Sequence, residues 1–261
     1  MLELNNVTVV LSKGTINEKK VFDNFSLRIK DGDFVTIIGS NGAGKSTLFN
    51  TVCGNAPTMS GSIILDGEDI TYLPEHKRAK KIGRLFQDPN SGTAPDMSIE
   101  DNLYLASGRG GWLSGITKND RAYFKELLSS LGMGLEDKLS RPVKLLSGGQ
   151  RQAVTLLMAT MSKPSLLLLD EHTAALDPKT ADIVLDMTNK IVTENKITCL
   201  MITHNMQSAL DIGNRTLMMQ NGKVIFDTSG EERSNLTVQD LLVKFKENAG
   251  VDFTNDRMLL S

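Results

Sequence analysis

The segment Gly39-Ser40-Asn41-Gly42-Ala43-Gly44-Lys45-Ser46 constrains this chain more than any other, because it fits G-x-x-x-x-G-K-[ST] in the context that gives the pattern meaning. Before it, Phe34 to Ile38 is a short apolar, β-branched run suited to a buried parallel strand. After it, Thr47 to Val52 can continue as a helix. Gly39, Gly42 and Gly44 let the backbone turn tightly, so that successive N–H groups point inward at phosphate oxygens. The helix that follows adds its positive N-terminal end to the same cradle. In that cradle Lys45 reaches β- and γ-phosphates and the Ser46 hydroxyl is a ligand for Mg²⁺. The alternative is a glycine-rich turn that binds nothing, and the rest of the chain argues against it.

A second buried strand, Ser165 to Leu169, runs straight into Asp170 and Glu171. Asp170 at the strand tip suits Mg²⁺ held through a water. Glu171 is the candidate general base for an attacking water, a role typically worth about 10²–10⁴ in rate. Leu146-Ser147-Gly148-Gly149-Gln150 opens a helix whose apolar positions Val154, Leu157, Met158 and Met161 follow helical spacing. Ser147 and the N–H groups near Gly148 and Gly149 therefore form a second phosphate-binding helix start. Gln87 follows a short strand-like run, and Ile197 to Thr203 reads as a third buried strand ending at His204.

In this order the segments resemble the nucleotide-binding subunit of an ATP-binding cassette (ABC) transporter, of the stand-alone bacterial importer type. The resemblance covers nearly the whole chain. It implies an α/β fold: a P-loop NTPase (RecA-like) core, an antiparallel β subdomain and an inserted α-helical subdomain. It makes ATP and Mg²⁺ the cofactors and implies ATP hydrolysis, with Glu171, His204, Gln87 and Lys45 catalytic. Ser46, Gln87 and Asp170 would hold the metal. Nucleotide contacts would come from Gly39, Ser40, Asn41, Gly42, Ala43, Gly44, Lys45, Ser46 and Thr47, with Leu11 at the adenine. The signature residues Ser147, Gly148, Gly149 and Gln150, with Asp177 of the loop Ala174-Ala175-Leu176-Asp177, would face the nucleotide of a second copy in a head-to-tail sandwich dimer. Further partners implied are separate transmembrane permease subunits and, through them, an extracytoplasmic substrate-binding protein. That places the chain in the cytoplasm, peripheral on the inner face of the membrane. The stretch Asp170 to Thr180 looks like a subgroup paired with binding proteins for amino acids, including aromatic ones. The alternative is a soluble ABC ATPase of a protein-assembly system, of the iron–sulfur type.

This sequence departs from the family pattern twice. Leu11 stands where an aromatic side chain usually stacks on adenine, which predicts weaker discrimination of adenine unless Phe22 or a partner residue supplies a ring. His172 stands where proline usually follows the glutamate. A histidine there can reach solvent or the paired subunit and tune nucleotide release, or be a tolerated loop substitution.

The 261 residues bound one compact unit, or a core with one inserted subdomain, with a net charge of −2 that argues against a nucleic-acid partner. Cys53 and Cys199 offer neither a disulfide framework nor metal-ligand spacing. Met1 to Asn6 lacks a signal pattern, and no apolar run approaches a membrane span. Residues 1–228 are expected to form one domain, with 1–88 and 161–228 as nucleotide-binding core plus β subdomain and 89–160 as the helical signature subdomain. Residues 229–261 form a short helical tail, starting at a capping box over Thr237 to Asp240 and placing Leu241, Leu242 and Phe245 on one face, with Gly250 after its end. Phe25, Leu27 and Ile29 alternate with polar residues as in a strand; Gly61 to Gly67 is another, and Leu217 to Phe226 a hairpin around Asn221-Gly222. A helix is expected over Arg121 to Leu131, and the basic run His76 to Lys81 as a solvated helix face. The glycine-rich stretch Gly108 to Leu113 is a surface loop or a permease contact.

Overall fold

The computed structural model describes residues 1–108 and 115–249. The chain opens with the antiparallel pair β1 (Leu2–Leu11) and β2 (Lys19–Ile29), in which Phe25, Leu27 and Ile29 point inward and Ser26 and Arg28 outward. Next come β3 (Phe34–Ile38), whose five residues are all buried, and α1 (Lys45–Cys53). Strand β4 (Thr58–Leu65) and the two-residue β5 (Glu68–Asp69) return to the first pair and complete an antiparallel sheet in the order β2-β1-β4-β5. The short α2 (Glu75–Arg78) leads to β6 (Ile82–Leu85), and α3 (Ile99–Ser107), α4 (Lys118–Ser129) and α5 (Gly148–Met161) follow. The rest alternates: β7 (Leu166–Asp170), α6 (Pro178–Glu194), β8 (Thr198–Ile202), α7 (Met206–Asp211) and β9 (Arg215–Gln220). The hairpin strand β10 (Lys223–Ser229) and helices α8 (Gly230–Ser234) and α9 (Val238–Ala249) end the described chain.

The second sheet has the order β10-β9-β3-β8-β7-β6, and every neighbouring pair is parallel except β10 with β9. Leu166 to Leu169 are fully buried, because a parallel strand in mid-sheet is covered on both faces. Helices α3 to α5 close over a core of their own, with Leu103, Phe124, Leu128 and Leu157 at its centre. Each of the three starts at a capping box: Ser98 with Asp101, Thr117 with Asp120, Ser147 with Gln150.

Several expectations move by a few residues. The helix expected from Arg121 starts at Lys118, because Thr117 supplies the cap. The strand expected from Gly61 starts at Thr58. The hairpin forms around Asn221 and Gly222, whose φ values of 48° and 73° fit the two-residue turn. The basic run is not a solvated helix face throughout. Arg78 is buried and donates to the carbonyls of Thr51 and Val52 at the end of α1 and of Thr71 and Leu73, so its charge is spent on carbonyls rather than on water. The box at Thr237 and Asp240 forms, and Leu241 and Phe245 pack on Ile38, Met206 and Met218. Gly250 and residues 109–113 of the glycine-rich stretch lie outside the described residues.

Candidate functional site

Four adjacent parallel strands, β3, β8, β7 and β6, deliver their C-terminal ends to one edge of the sheet. In open α/β sheets that edge is where ligands bind. Gly39 leaves β3, Thr203 and His204 leave β8, Asp170 and Glu171 end β7, and Gln87 follows β6. The parallel register does in three dimensions what sequence spacing could only suggest.

The glycine-rich loop wraps the start of α1. Gly39 has φ 149°, and a Cβ there would stand 2.2 Å from the Met219 carbonyl oxygen. Gly44, at φ 103°, lies against the Phe22 ring. Lys45 is 5% exposed and folds back over the loop, its Nζ donating to the carbonyls of Gly39 at 2.5 Å and Ser40 at 3.0 Å. A cavity of about 250 Å³ beside it is lined by Asn41 to Thr47, Glu171, Leu11, Lys19 and Val21. Leu11 lines the cavity beside the phosphate loop. Lys19 and Val21, its neighbours across β2, were not anticipated; strand pairing of Leu11 with Lys19 brings them there. Phe22 is a correction. It is fully buried and stacked on Phe25 at 4.6 Å, on the core side of β2, so it braces the loop from behind and presents no ring to the cavity.

At the tip of β7, Glu171 adopts φ 47°, a left-handed backbone that costs a non-glycine residue about 1–2 kcal/mol. Its N–H donates to the Ile202 carbonyl and its own carbonyl accepts from Ala174. Its carboxylate is shared: Oε1 lies 2.6 Å from His204 Nε2, and Oε2 accepts from Gln87 Nε2 at 3.3 Å. The hydrogen bond to His204 holds this carboxyl below the usual carboxylate range, against the opposing effect of burial. Asp170 differs. Burial pushes its carboxyl up, opposed by the Arg84 guanidinium 3.9 Å away. Arg84, whose Cζ also stands 4.7 Å from the Phe86 ring centroid, is a contributor that sequence reasoning missed. Its only signal was a charge inside an otherwise strand-like run.

A larger cavity of about 820 Å³ joins Ser40, Asn41, Gln87, Glu171 and His204 to the loop Thr173 to Leu176. The Ser46 hydroxyl, the Gln87 amide and the Asp170 carboxylate are hard oxygen donors, and so few protein ligands beside a triphosphate and waters suit Mg²⁺. Among the described residues there is no denser cluster of acids, histidines or cysteines fit for a metal.

The signature segment is brought to neither cavity. Ser147 caps α5, its hydroxyl accepting from Gln150 N–H at 3.3 Å while Gln150 Oε1 accepts from Ser147 N–H. Gly148 and Gly149 lie against Leu176 and Thr180; a Cβ on Gly149 would stand 2.2 Å from Thr180 Cγ2. Asp177, between Leu176 and Pro178 at the rim of the larger cavity, turns its side chain to the cap of α6, accepting from Thr180 N–H at 3.1 Å. His172 is the second correction. It does not reach solvent: it is 4% exposed, and its Nε2 lies 3.1 Å from Thr188 Oγ1 of α6. Burial lowers its pKa to about 4, so the ring is neutral at neutral pH.

The sequence model of the ABC transporter family matches residues 22–174. The chain belongs to that family. This ABC cassette is 44% identical to a tyrosine transport ATP-binding protein of Clostridioides difficile, over 94% of its own length and 99% of the relative's. It is 36% identical to a methionine import ATP-binding protein of Corynebacterium glutamicum over 86% of its own length, spanning 61% of that longer protein. Among solved structures, the ATP-binding cassette MJ0796, a dimer in a post-hydrolysis state bound to ADP and Pi, superposes with a TM-score of 0.73 at 30% identity, covering 88% of this chain and 98% of that one. The cassette is thus an ATP-binding, ATP-hydrolysing transporter subunit with a P-loop NTPase fold. These relatives are transport proteins, which disfavours the protein-assembly alternative.

Proposed function

We propose that this cassette energises an importer of an amino acid, with tyrosine the first candidate, by closing and reopening a head-to-tail dimer around two ATP molecules. The observation that carries the catalytic reading is the convergence of Gln87 and His204 on Glu171 beside Lys45. The cargo reading is supported by the high identity to a tyrosine transport subunit along almost the full length of both chains.

In this reading Lys45 and the N–H groups of the loop hold the β- and γ-phosphates, and Ser46, Gln87 and Asp170 hold Mg²⁺. Mg²⁺ held there would supply charge neutralisation for the phosphoryl oxygens. Glu171 accepts a proton from the attacking water as the water oxygen bonds to the γ-phosphorus and the bond to the bridging oxygen breaks. Both Glu171 oxygens are engaged, Oε1 by His204 and Oε2 by Gln87. Bound ATP would draw His204 to its γ-phosphate, and Gln87 would turn to the Mg²⁺ it helps to hold, which would free the base for water. Ser147 to Gln150 and Asp177 act on the nucleotide of the second copy, a reading supported by their absence from the lining of either cavity in this chain. Permease subunits receive the movement, and an extracytoplasmic binding protein delivers cargo to them. The cassette works on the inner face of the membrane; among the described residues no helix is long and apolar enough to cross it. The division into 1–228, with 89–160 as the moving helical part, and a tail from 229 belongs to the same proposal.

Mild-detergent affinity purification from the native cell tests the partner claim. Recovery of a polytopic membrane protein, with tyrosine uptake lost when the cassette is deleted, is the expected result. Soluble partners alone, with uptake intact, would refute it.

A further inference from the structure

His172 joins two parts of the site that the reaction requires to stay in register. Thr188 Oγ1 has one proton, and that proton is donated to the Val184 carbonyl at 2.7 Å. Toward His172 the hydroxyl can only accept, so the imidazole carries its proton on Nε2 and donates it across the 3.1 Å contact. The ring is thereby tied to the middle of α6 while its backbone directly follows Glu171. Residues 173–176, which line the larger cavity, lie between His172 and the Asp177 cap of α6, so this bond ties the start of that loop to the helix at its end.

Other contacts on the Glu171 side chain do not serve this purpose. In the proposed cycle Gln87 and His204 leave the carboxylate when nucleotide arrives, and what remains on the left-handed residue is its backbone bonds to Ile202 and Ala174. The His172–Thr188 bond is buried and touches neither Gln87 nor His204, so the exchange of those two groups does not itself break it. We infer that His172 is a positioning residue: anchored on Thr188, it pins the left-handed backbone of Glu171 and the loop 172–177 when the carboxylate is released to water. This rests on the reading of Glu171 as the base.

The test compares Thr188→Val, which keeps shape and removes the acceptor, with Thr188→Ser, which keeps the hydroxyl. Steady-state ATPase kinetics and amide hydrogen exchange over residues 171–178 are measured well below the melting transition. Misplacement of a reacting group by about half an ångström, against the roughly 10²-fold cost of 1 Å, predicts a kcat reduced about tenfold in Thr188→Val, with KM for ATP within about twofold of wild type and faster exchange in the loop. Thr188→Ser is expected to restore both. Unchanged kcat in Thr188→Val, or equal losses in both variants, overturns the positioning role. Glu171→Gln in the otherwise unmodified chain separates the two claims: full turnover there removes the base assignment itself, whereas the exchange comparison still reports on the anchor.

Discussion

Leu11 and Val21 offer a nucleobase aliphatic contact but no ring, and Phe22 is sealed in the core. Stacking on an aromatic side chain is worth roughly 1–3 kcal/mol per base and is tolerant of which base it holds. Because aliphatic side chains carry no hydrogen-bonding group that tells adenine from guanine, equilibrium binding is expected to show ATP and GTP held with equal affinity, and Leu11→Tyr to tighten both; a strong native preference for ATP would contradict this placement of the base. His172 has a second consequence. Its pKa is about 4 when folded and near 6.5 when unfolded, so its contribution to stability is complete above pH 6.5 and is lost as pH falls from there toward 4. Between pH 7 and pH 5 wild type should lose roughly 2 kcal/mol more than a His172→Leu variant, read by urea unfolding. Equal losses in the two would place the ring in contact with water.

At the scale of elements, α5 rests on α6 through a glycine. Gly149→Ala drives a methyl into Thr180 Cγ2 and is expected to cost about 1–3 kcal/mol of stability. Thr180→Ala in the same chain leaves 3.7 Å to the Thr180 Cβ and should recover most of that loss in a double-mutant cycle. Simple additivity would show that the two helices do not meet there. The same pair marks how far the sequence could be read. Strands β3, β7 and β8 were legible because buried parallel strands are uninterrupted apolar runs, and the residues at their ends were legible because they break those runs. Ser147 and Gln150 were legible as a helix start. That Gly148 and Gly149 also answer to Leu176 and Thr180 was not, since packing between distant helices leaves no local pattern. For the same reason the partner of His172, the burial of Phe22 and the approach of Arg84 to Asp170 emerge only once β2, β6 and α6 are placed. A histidine in a loop reads as exposed until a helix 16 residues on covers it.

At the scale of the molecule, the proposed function gives one chain two half-sites on different elements. The P-loop, Glu171 and His204 share one sheet edge, while Ser147 caps a helix outside both cavities. A single copy is incomplete in this account, and ATP is the adhesive that pairs two of them. Sedimentation velocity of Glu171→Gln with ATP and Mg²⁺, run beside an assay of phosphate release, tests this most directly. The account predicts a shift from one chain to two that requires ATP, persists without turnover and is abolished by adding Ser147→Arg. A Glu171→Gln chain that stays monomeric at saturating ATP, or that releases phosphate at the wild-type rate, would contradict it.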